Sequence, residues 1–412
     1  MIKGAVFSLK RKKRASAVGM VALLAMVSLT ACGYANGPGG SAPSSGKTAA
    51  AEPPKSAWAE KVGLNKTETV DELYAKAKEE GKVAIYSMSG RTADVKKSFE
   101  AKYPGIKVED YKLSSVDITE KISREHSAGV NNADVIFTKD TSGSFSMELA
   151  QKGVVHTYIP EDIRSKMIEP FKSQKFGFVP YVEARGIFYN SETYKTPPIA
   201  NWWDLTTPEW KGRVMMSDPL KNSDTMDLFL AFVQNAEDMK TSYKEKFGKD
   251  IELNGSPNAG YEFLRRLIKN DLILQNSGGE IVGAIGKPNQ AKPPVGIAVT
   301  SKLREGQEQG LKLGASYDMK PRVSHAEPAL LFIADQAPHP NAAKLLIRWM
   351  AGEADGKADG FKPFNVSGSW PARTDIKPKD DITLEKLNLW KYDAEFDYDN
   401  LMKVREFWLK QQ

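Results

Sequence analysis

The segments EGKVAIYSMSGR at residues 80–91, FEAKYPGIKV at 99–108 and ADVIFTKD at 133–140 decide the fold class. Each contains a short apolar run typical of a buried strand, and the residues between them place apolar side chains at helical spacing. A capping box at residues 69–72 predicts a helix that ends at Gly81, directly before the first strand. Strands that alternate with helices about every 25–30 residues indicate βαβ units, so we expect an α/β fold with a parallel sheet.

The rest of the chain continues to alternate between the two kinds of element. Apolar patterning predicts further strands at residues 179–189, 213–216, 281–285, 295–299 and 329–334. It predicts further helices at residues 224–235, 258–269, 341–350 and 400–410. A length of 412 residues with 41% hydrophobic content is sufficient for two or three domains with sizeable cores.

The net charge of +6 does not indicate a nucleic-acid-binding protein. Residues 1–32 hold six basic side chains and no acidic one, which leaves 52 basic and 52 acidic residues in the remainder. A charge-neutral body lacks the excess of Lys and Arg that neutralises phosphates, so we expect no nucleic-acid partner.

The N-terminus is typical of an export signal that ends in a lipid attachment site. Residues 1–14 are basic, and residues 15–29 form an apolar run shorter than the roughly 20 residues that span a bilayer as a helix. The run Leu29-Thr30-Ala31-Cys32 resembles the bacterial lipobox, and Cys32 is the single cysteine of the chain. We therefore expect a signal peptide at 1–32 and a lipid on Cys32, with an ordinary secretory signal as the alternative.

The residues that follow Cys32 are rich in Gly, Ala, Pro and Ser and show no apolar periodicity. Such a composition cannot bury a core, so residues 33–64 are predicted to form a flexible tether. The protein is then exported and lipid-anchored to the cell membrane, on the extracellular face or in the periplasm.

The order of the three opening segments resembles the solute-binding proteins of ABC importers. The similarity is to the cluster that includes binders of ferric ion, phosphonates and sugar phosphates. Further matching pieces are GIFYNSETY at 186–194, WWDLTTPEWKGRV at 202–214, SDP at 217–219 and HPNAAKLLIRWM at 339–350. The resemblance covers residues 65–410 or so and implies the type 2 periplasmic-binding-protein fold.

That fold has two α/β lobes joined by two chain crossings, and it closes on a ligand in the cleft between them. The resemblance implies a first lobe made of residues 65–178 and 320–412, the latter including the C-terminal helices, and a second lobe made of 179–319. It also implies a non-enzymatic monomer that passes a small solute to an ABC permease.

Open α/β sheets bind ligands beyond the carboxyl ends of their strands and at helix N-termini. This rule selects candidate site residues from the strand and helix pattern, independently of the family resemblance. The rule selects residues after the first strand, after the third strand and before the helix at 224–235: Ser87, Ser89 and Arg91; Lys139 and Asp140; and Ser223, Asp224 and Thr225. Hydroxyls and cationic groups of this kind suit a carboxylate or a phosphate. Capped turns and solvated loops are the alternatives for the same residues.

The resemblance adds four candidates. Tyr181 and Glu183 fall at the first crossing, where a hinge role without ligand contact is the alternative. Trp370 and Arg373 fall in a Pro- and Gly-marked loop that the resemblance places near the cleft.

Ferric iron is the alternative ligand, and the sequence departs from the ferric pattern at two places. Ferric binders of this cluster carry a tyrosine pair after the strand that matches residues 282–285 and an acidic residue after the first-lobe strand. Here residues 286–290 read GKPNQ, and Lys139 stands at the acidic position with Asp140 beside it. Because Fe³⁺ prefers anionic oxygen donors, we expect a small anionic solute or chelate, with Lys139 and Lys287 as charge partners.

A secreted surface hydrolase is a remote alternative. The four histidines show no metal-binding spacing, and neither a GxSxG elbow nor a dinucleotide GxGxxG motif is present in the sequence. We therefore expect no catalytic residue, no resident metal and no cofactor.

Overall fold

The computed structural model of the chain describes residues 56–412. The predicted signal peptide, Cys32 and most of the predicted tether lie outside the described residues. Within residues 56–412, no helix is both long enough and apolar enough to cross a bilayer.

Thirteen strands occur within the described residues. In chain order they are β1 (Lys82–Ser87), β2 (Lys107–Lys112), β3 (Val135–Thr138), β4 (Val155–His156), β5 (Tyr181–Glu183), β6 (Arg185–Asn190), β7 (Val214–Ser217), β8 (Ile273–Gln275), β9 (Val295–Val299), β10 (Leu313–Ser316), β11 (Glu327–Pro328), β12 (Leu330–Ala334) and β13 (Trp370–Pro371).

Twelve α-helices occur in the same part of the chain. They are α1 (Ala57–Lys61), α2 (Val70–Glu80), α3 (Thr92–Lys102), α4 (Ser115–Ser127), α5 (Glu161–Arg164), α6 (Ser223–Gln234), α7 (Ala236–Phe247), α8 (Ala259–Lys269), α9 (Gly278–Ile285), α10 (Arg304–Gln309), α11 (Pro340–Met350) and α12 (Ala394–Gln411).

The first lobe is built on a five-stranded sheet in the order β2-β1-β3-β12-β4. Strands β1, β2 and β3 are parallel, as the alternating sequence predicts, and β12 joins β3 antiparallel. Helix α2 begins at a complete capping box of Thr69 with Glu72 and ends at Gly81 in the left-handed conformation, so this predicted helix is confirmed. The carboxyl ends of β1 and β3 therefore lie side by side at one edge of the sheet.

The second lobe is built on a five-stranded sheet in the order β10-β6-β9-β7-β8. Strands β7, β8 and β9 are parallel, whereas β6 and β10 are antiparallel to their neighbours. The tryptophan-rich segment packs its side chains inward, since Trp202 and Trp203 are fully buried against Phe263. The second lobe thus has an aromatic core of its own.

A small antiparallel sheet joins the two lobes. Strand β5 pairs with β11 and with β13, and Ala184 alone separates β5 from β6 of the second lobe. We call this three-stranded sheet the hinge sheet. Its position means that residues of β5 and β11 lie at the base of the space between the lobes.

The predicted strand at 281–285 is wrong, because these residues belong to helix α9. Ser277 caps the helix by accepting a hydrogen bond from the backbone N–H of Glu280. Ile281, Val282 and Ile285 are buried on one helical face. A five-residue apolar run fits both the helical and the strand spacing of apolar residues. The N-terminal cap is the feature that identifies the helix.

The predicted tether at 33–64 extends too far. Residues 57–61 form α1, whose Trp58 ring lies 5.5 Å from the His156 ring, and Leu64 is buried in the first core. Apolar side chains within the last eight residues of the predicted tether find partners on the body, so this part of the chain is packed.

The sequence-based boundaries placed the C-terminal helix in the first lobe, but its buried face packs into the core of the second lobe. Helix α12 packs against α6 and α8, and the ring of buried Trp408 lies 4.9 Å from the ring of Phe229. Patterning identified the buried face through Val404 and Trp408, but it could not identify which lobe receives that face. Beyond the two crossings of the hinge sheet, the chain therefore returns to the second lobe at its end.

Replacing Trp408 tests this placement. Trp408→Ala should lower the free energy of unfolding by roughly 3 kcal/mol, since it leaves a cavity between α12 and α6. Urea unfolding followed by tryptophan fluorescence and circular dichroism measures the change. Leu409→Ala, at a neighbouring side chain that is 50% exposed, is the matched control and should change stability by less than about 0.5 kcal/mol. Equal effects of the two variants would contradict the packing.

Candidate binding cleft between the lobes

A cleft of about 1090 Å³ lies between the two lobes. The first lobe contributes the loops that follow β1, β2 and β3, and the second contributes the start of α6 and the turn after β9. Both walls therefore present loop residues beyond strand ends and a helix N-terminus, as expected for an open α/β sheet.

Six charged side chains form a connected set of ion pairs at the base of the cleft. We call this set the hinge network: Arg91, Lys139, Glu183, Arg185, Asp224 and Glu327. It contains three cations and three carboxylates, so it is charge-balanced. Its members come from the first lobe, the hinge sheet and the second lobe.

The centre of the hinge network is the carboxylate of Glu327 on β11. Its two oxygens accept from Lys139 Nζ at 2.7 Å and from Arg185 Nε at 2.8 Å. Burial raises the pKa of Glu327, but the charges of Arg185 and Lys139 outweigh burial and hold that pKa well below its usual range. Nearby His325 is fully buried, and burial lowers its pKa to about 4, so it is neutral at pH 7.

Glu183 on β5 links the other two cations. Its carboxylate lies 2.9 Å from Lys139 Nζ and 3.4 Å from Arg91 Nη2. Burial opposes ionisation, yet the charges of Lys139 and Arg91 lower the pKa of Glu183 on balance. Glu183 is therefore an anion at the floor of the cleft.

Arg91 is the member of the hinge network that is held most loosely. Its contact to Glu183 is the longest ion pair of the set, and its other hydrogen bond, to the Pro363 carbonyl, is 3.3 Å. The guanidinium lies over the rings of Phe364 and Tyr181, at 5.4 and 5.9 Å from their centroids. The side chain is 22% exposed, so an incoming anion can reach it.

A direct contact joins the two lobes beside the network. The backbone N–H and the hydroxyl of Ser142, in the loop after β3, both donate to Asp227 Oδ1 on α6, at 2.9 and 2.7 Å. Burial raises the pKa of Asp227 well above its usual value, and the charges of Asp397 and Asp224 raise it further. The lobes are thus in contact at the level of the hinge network.

The structure brings most of the strand-end candidates together on the cleft wall. Ser89, Arg91, Lys139, Tyr181, Glu183, Ser223 and Asp224 all line the cleft. Ser223 and Asp224 form the first turn of α6, and Asn222 caps that helix by accepting from the Thr225 N–H.

Three neighbours of these residues do not line the cleft, and each has a local structural partner. Ser87 is fully buried and shares a hydrogen bond with the Thr92 hydroxyl. Thr225 is buried, and its hydroxyl donates to the Asn222 side chain. Asp140 points away from the cleft wall, and its Oδ1 accepts from the N–H groups of Phe145 and Ser146. These three expectations are corrected accordingly.

Two of the four candidates that the resemblance added also lie outside the cleft. Trp370 is fully buried, and its indole N–H donates to the Ile382 carbonyl. Arg373 is buried too, and it donates to the carbonyls of Ala351 and Glu353. Both side chains hold segments of the body together and are unavailable to a solute.

Lys287 is another predicted site residue that lies outside the cleft. It is exposed, and its carbonyl accepts from Asn190 Nδ2 at 2.8 Å. Asn190 ends β6, whereas Arg185 of the hinge network begins it, so Lys287 lies at the far end of that strand from the cleft floor. Lys287 was expected to follow a strand, and this expectation was wrong because the preceding residues form α9.

Patterning in the sequence did not predict three charged residues of this region, which are Glu327, Arg185 and Asp227. Asp227 did give a signal, since it is a charged residue on the buried face of the apolar helix α6. Glu327 and Arg185 gave none, because they meet across 142 residues of chain.

The charge of the cleft wall favours anions. Seven cationic side chains line it against three carboxylates: Arg91, Lys112, Lys139, Lys221, Lys302, Arg304 and Arg405 against Asp117, Glu183 and Asp224. Lys112 and Arg405 form no ion pair with any residue in the described range 56–412. Lys221, Lys302 and Arg304 each pair with a carboxylate that is not on the wall, so the unpaired excess of cations consists of Lys112 and Arg405.

Known proteins resemble this chain in sequence and in structure. Residues 94–388 match the sequence profile of the family described as bacterial extracellular solute-binding protein. Iron uptake protein A1 of Synechocystis sp. is 25% identical over 261 aligned residues, and the match covers 56% of this chain and 67% of that protein.

Solved structures agree on the fold. Apo ferric ion-binding protein A of Pasteurella haemolytica superposes with a TM-score of 0.60 at 19% identity, over 80% of this chain and 98% of that one. AfuA of Actinobacillus pleuropneumoniae, with fructose-6-phosphate bound, superposes with a TM-score of 0.60 at 20% identity, over 80% of this chain and 98% of that one. The Trichodesmium protein IdiA (FutA) in complex with iron and citrate superposes with a TM-score of 0.56 at 17% identity, over 80% of this chain and 99% of that one. These likenesses confirm the two-lobed type 2 periplasmic-binding-protein fold.

Proposed function

The chain belongs to the family of bacterial extracellular solute-binding proteins, and on that premise we propose that it captures a small anionic solute between its lobes for an ABC permease. The observation that carries the choice of an anion is the excess of cations on the cleft wall. The protein acts as a monomeric, non-enzymatic receptor. No described residue on the cleft wall is His or Cys, so its serines lack an imidazole base for hydrolysis.

The anion binds to groups from both lobes. Arg91 and the Ser89 hydroxyl face it from the first lobe, and the Ser223 hydroxyl with the N-terminal turn of α6 faces it from the second. Lys139 is held by Glu327 and Glu183, so it contributes charge without leaving its partners. Contacts to both lobes favour the closed state, which is how ligand binding drives hinge closure.

Arg91 supplies the displaceable cation of the site. Its 3.4 Å pair with Glu183 is weak in comparison with a charge-assisted bond to an incoming carboxylate or phosphate. Glu183 keeps Lys139 as a partner when Arg91 turns to the ligand, so no buried carboxylate is left unpaired.

Arg91→Ala should weaken binding of the anion by about tenfold or more, the size of one charge-assisted hydrogen bond. Isothermal titration of the purified protein with phosphonates, sugar phosphates and dicarboxylates measures this. Lys287→Ala is the matched control, since it removes an exposed cation outside the cleft and should leave affinity unchanged. Unaltered binding by Arg91→Ala would contradict the proposed site.

A ferric chelate is the second candidate, because two relatives carry iron in their printed names and one structure contains iron with citrate. Tyr181 is the single tyrosine on the described cleft wall, and no group of three or more His, Cys, Asp or Glu within residues 56–412 is placed to hold a metal ion. Ferric citrate in the same titration addresses the chelate, and tight binding of bare Fe³⁺ would overturn the choice of an anion.

Anchoring through a lipid on Cys32 completes the proposal and rests on the lipobox-like run that ends at that residue. Two acyl chains give stable membrane attachment, since each buried CH₂ contributes about 0.8 kcal/mol. Palmitate labelling with membrane fractionation should show a labelled, membrane-bound protein, and Cys32→Ser should be unlabelled and released. A Cys32→Ser protein that stays with the membrane would contradict the anchor.

A further inference from the structure

A second cavity, of about 450 Å³, lies on the other side of the hinge network. It shares no lining residue with the cleft, and we call it the back pocket. Its wall is mostly apolar, and the apolar side chains come from three separate segments, represented by Ile168, Phe171, Phe176, Leu330, Leu384 and Leu389. Its volume is within the range that small-molecule sites occupy in proteins.

Asp140 is the buried acidic residue of the back pocket, and burial raises the pKa of its carboxyl. It is 6% exposed, and its Oδ1 accepts the two backbone N–H groups described above. Its Oδ2 is buried and has no hydrogen-bond partner among the described residues. An unsatisfied buried carboxylate oxygen is costly, so this atom favours a ligand that donates a hydrogen bond.

The charge around Asp140 favours a cationic donor. Glu169 and Glu385 also line the back pocket, against Lys391 as the single cation on its described wall. Burial and the charge of Asp140 raise the pKa of Asp397 to about 8, so Asp397 is mostly neutral at pH 7 and adds little negative charge. The neighbouring cation, Lys139, is committed to the carboxylates of the hinge network.

We propose that the back pocket binds a small apolar primary amine, whose ammonium group donates to Asp140 Oδ2 and whose hydrocarbon part fills the apolar cavity. The site is independent of the solute cleft. It contacts the first lobe, the hinge sheet and the segment that leads into α12, and an occupant therefore touches each element that meets at the hinge.

Titration with 2-phenylethylamine near pH 7 tests the proposal, with 2-phenylethanol as the neutral probe of the same shape. We expect saturable binding of the amine, at least tenfold tighter than that of the alcohol. Asp140→Asn keeps an acceptor for the two backbone N–H groups and should weaken the amine about tenfold or more. Glu169→Gln removes an exposed carboxylate at the rim and is the matched control, with less than a threefold change.

Two further variants separate a pocket effect from a folding effect. Leu384→Trp enlarges a half-exposed side chain of the back pocket and should abolish amine binding, while circular dichroism verifies the fold. Arg91→Ala alters only the cleft and should leave amine binding unchanged. The proposal is overturned if the amine fails to bind, if Asp140→Asn or Leu384→Trp binds it as the wild type does, or if Arg91→Ala abolishes its binding.

Discussion

The buried ion pairs of Glu327 with Lys139 and Arg185 are the interaction on which the rest of the structure depends. Glu327 is on the hinge sheet, Lys139 ends a first-lobe strand and Arg185 begins a second-lobe strand. Removing such charges from water costs several kcal/mol each, so every one of them requires its partners. The network therefore fixes how the two lobes meet at the floor of the cleft.

Charge balance in this network also limits what the cleft can use for binding. Lys139 and Arg185 are buried among carboxylates and cannot be released to a ligand at low cost. The proposed preference for an anion then rests on Arg91, which is loosely paired, and on Lys112 and Arg405, which also line the cleft wall. The net charge of the chain does not contribute, because its excess of basic residues lies in residues 1–32.

Local rules predicted the parts of the structure that local sequence controls. The capping box before α2 and the strand-helix alternation at residues 80–140 gave the first-lobe sheet. The strand-end rule found Ser89, Arg91 and Lys139, because a position after a parallel strand is a local property. The five-residue run at 281–285 was ambiguous, since it is too short to distinguish the two periods.

Properties that depend on distant partners could not be predicted in this way. Asp227 meets Ser142 across 85 residues, and α12 chooses its lobe only through the shape of the second core. Trp370 and Arg373 were nominated by resemblance, and their burial shows that a loop placed near a cleft can serve only to pack the body. The sequence therefore predicted only those site residues whose position follows from the order of the strands and helices.

We propose that one anion bridges the two lobes over the hinge network. A crystal structure of the protein with the tightest-binding anion from the titration series tests it most directly. We expect ligand density that contacts both Arg91 and the Ser223 turn of α6, with Arg91 turned from Glu183 to the ligand. Density confined to one lobe, or a ligand bound while the Arg91–Glu183 pair stays in place, would contradict it.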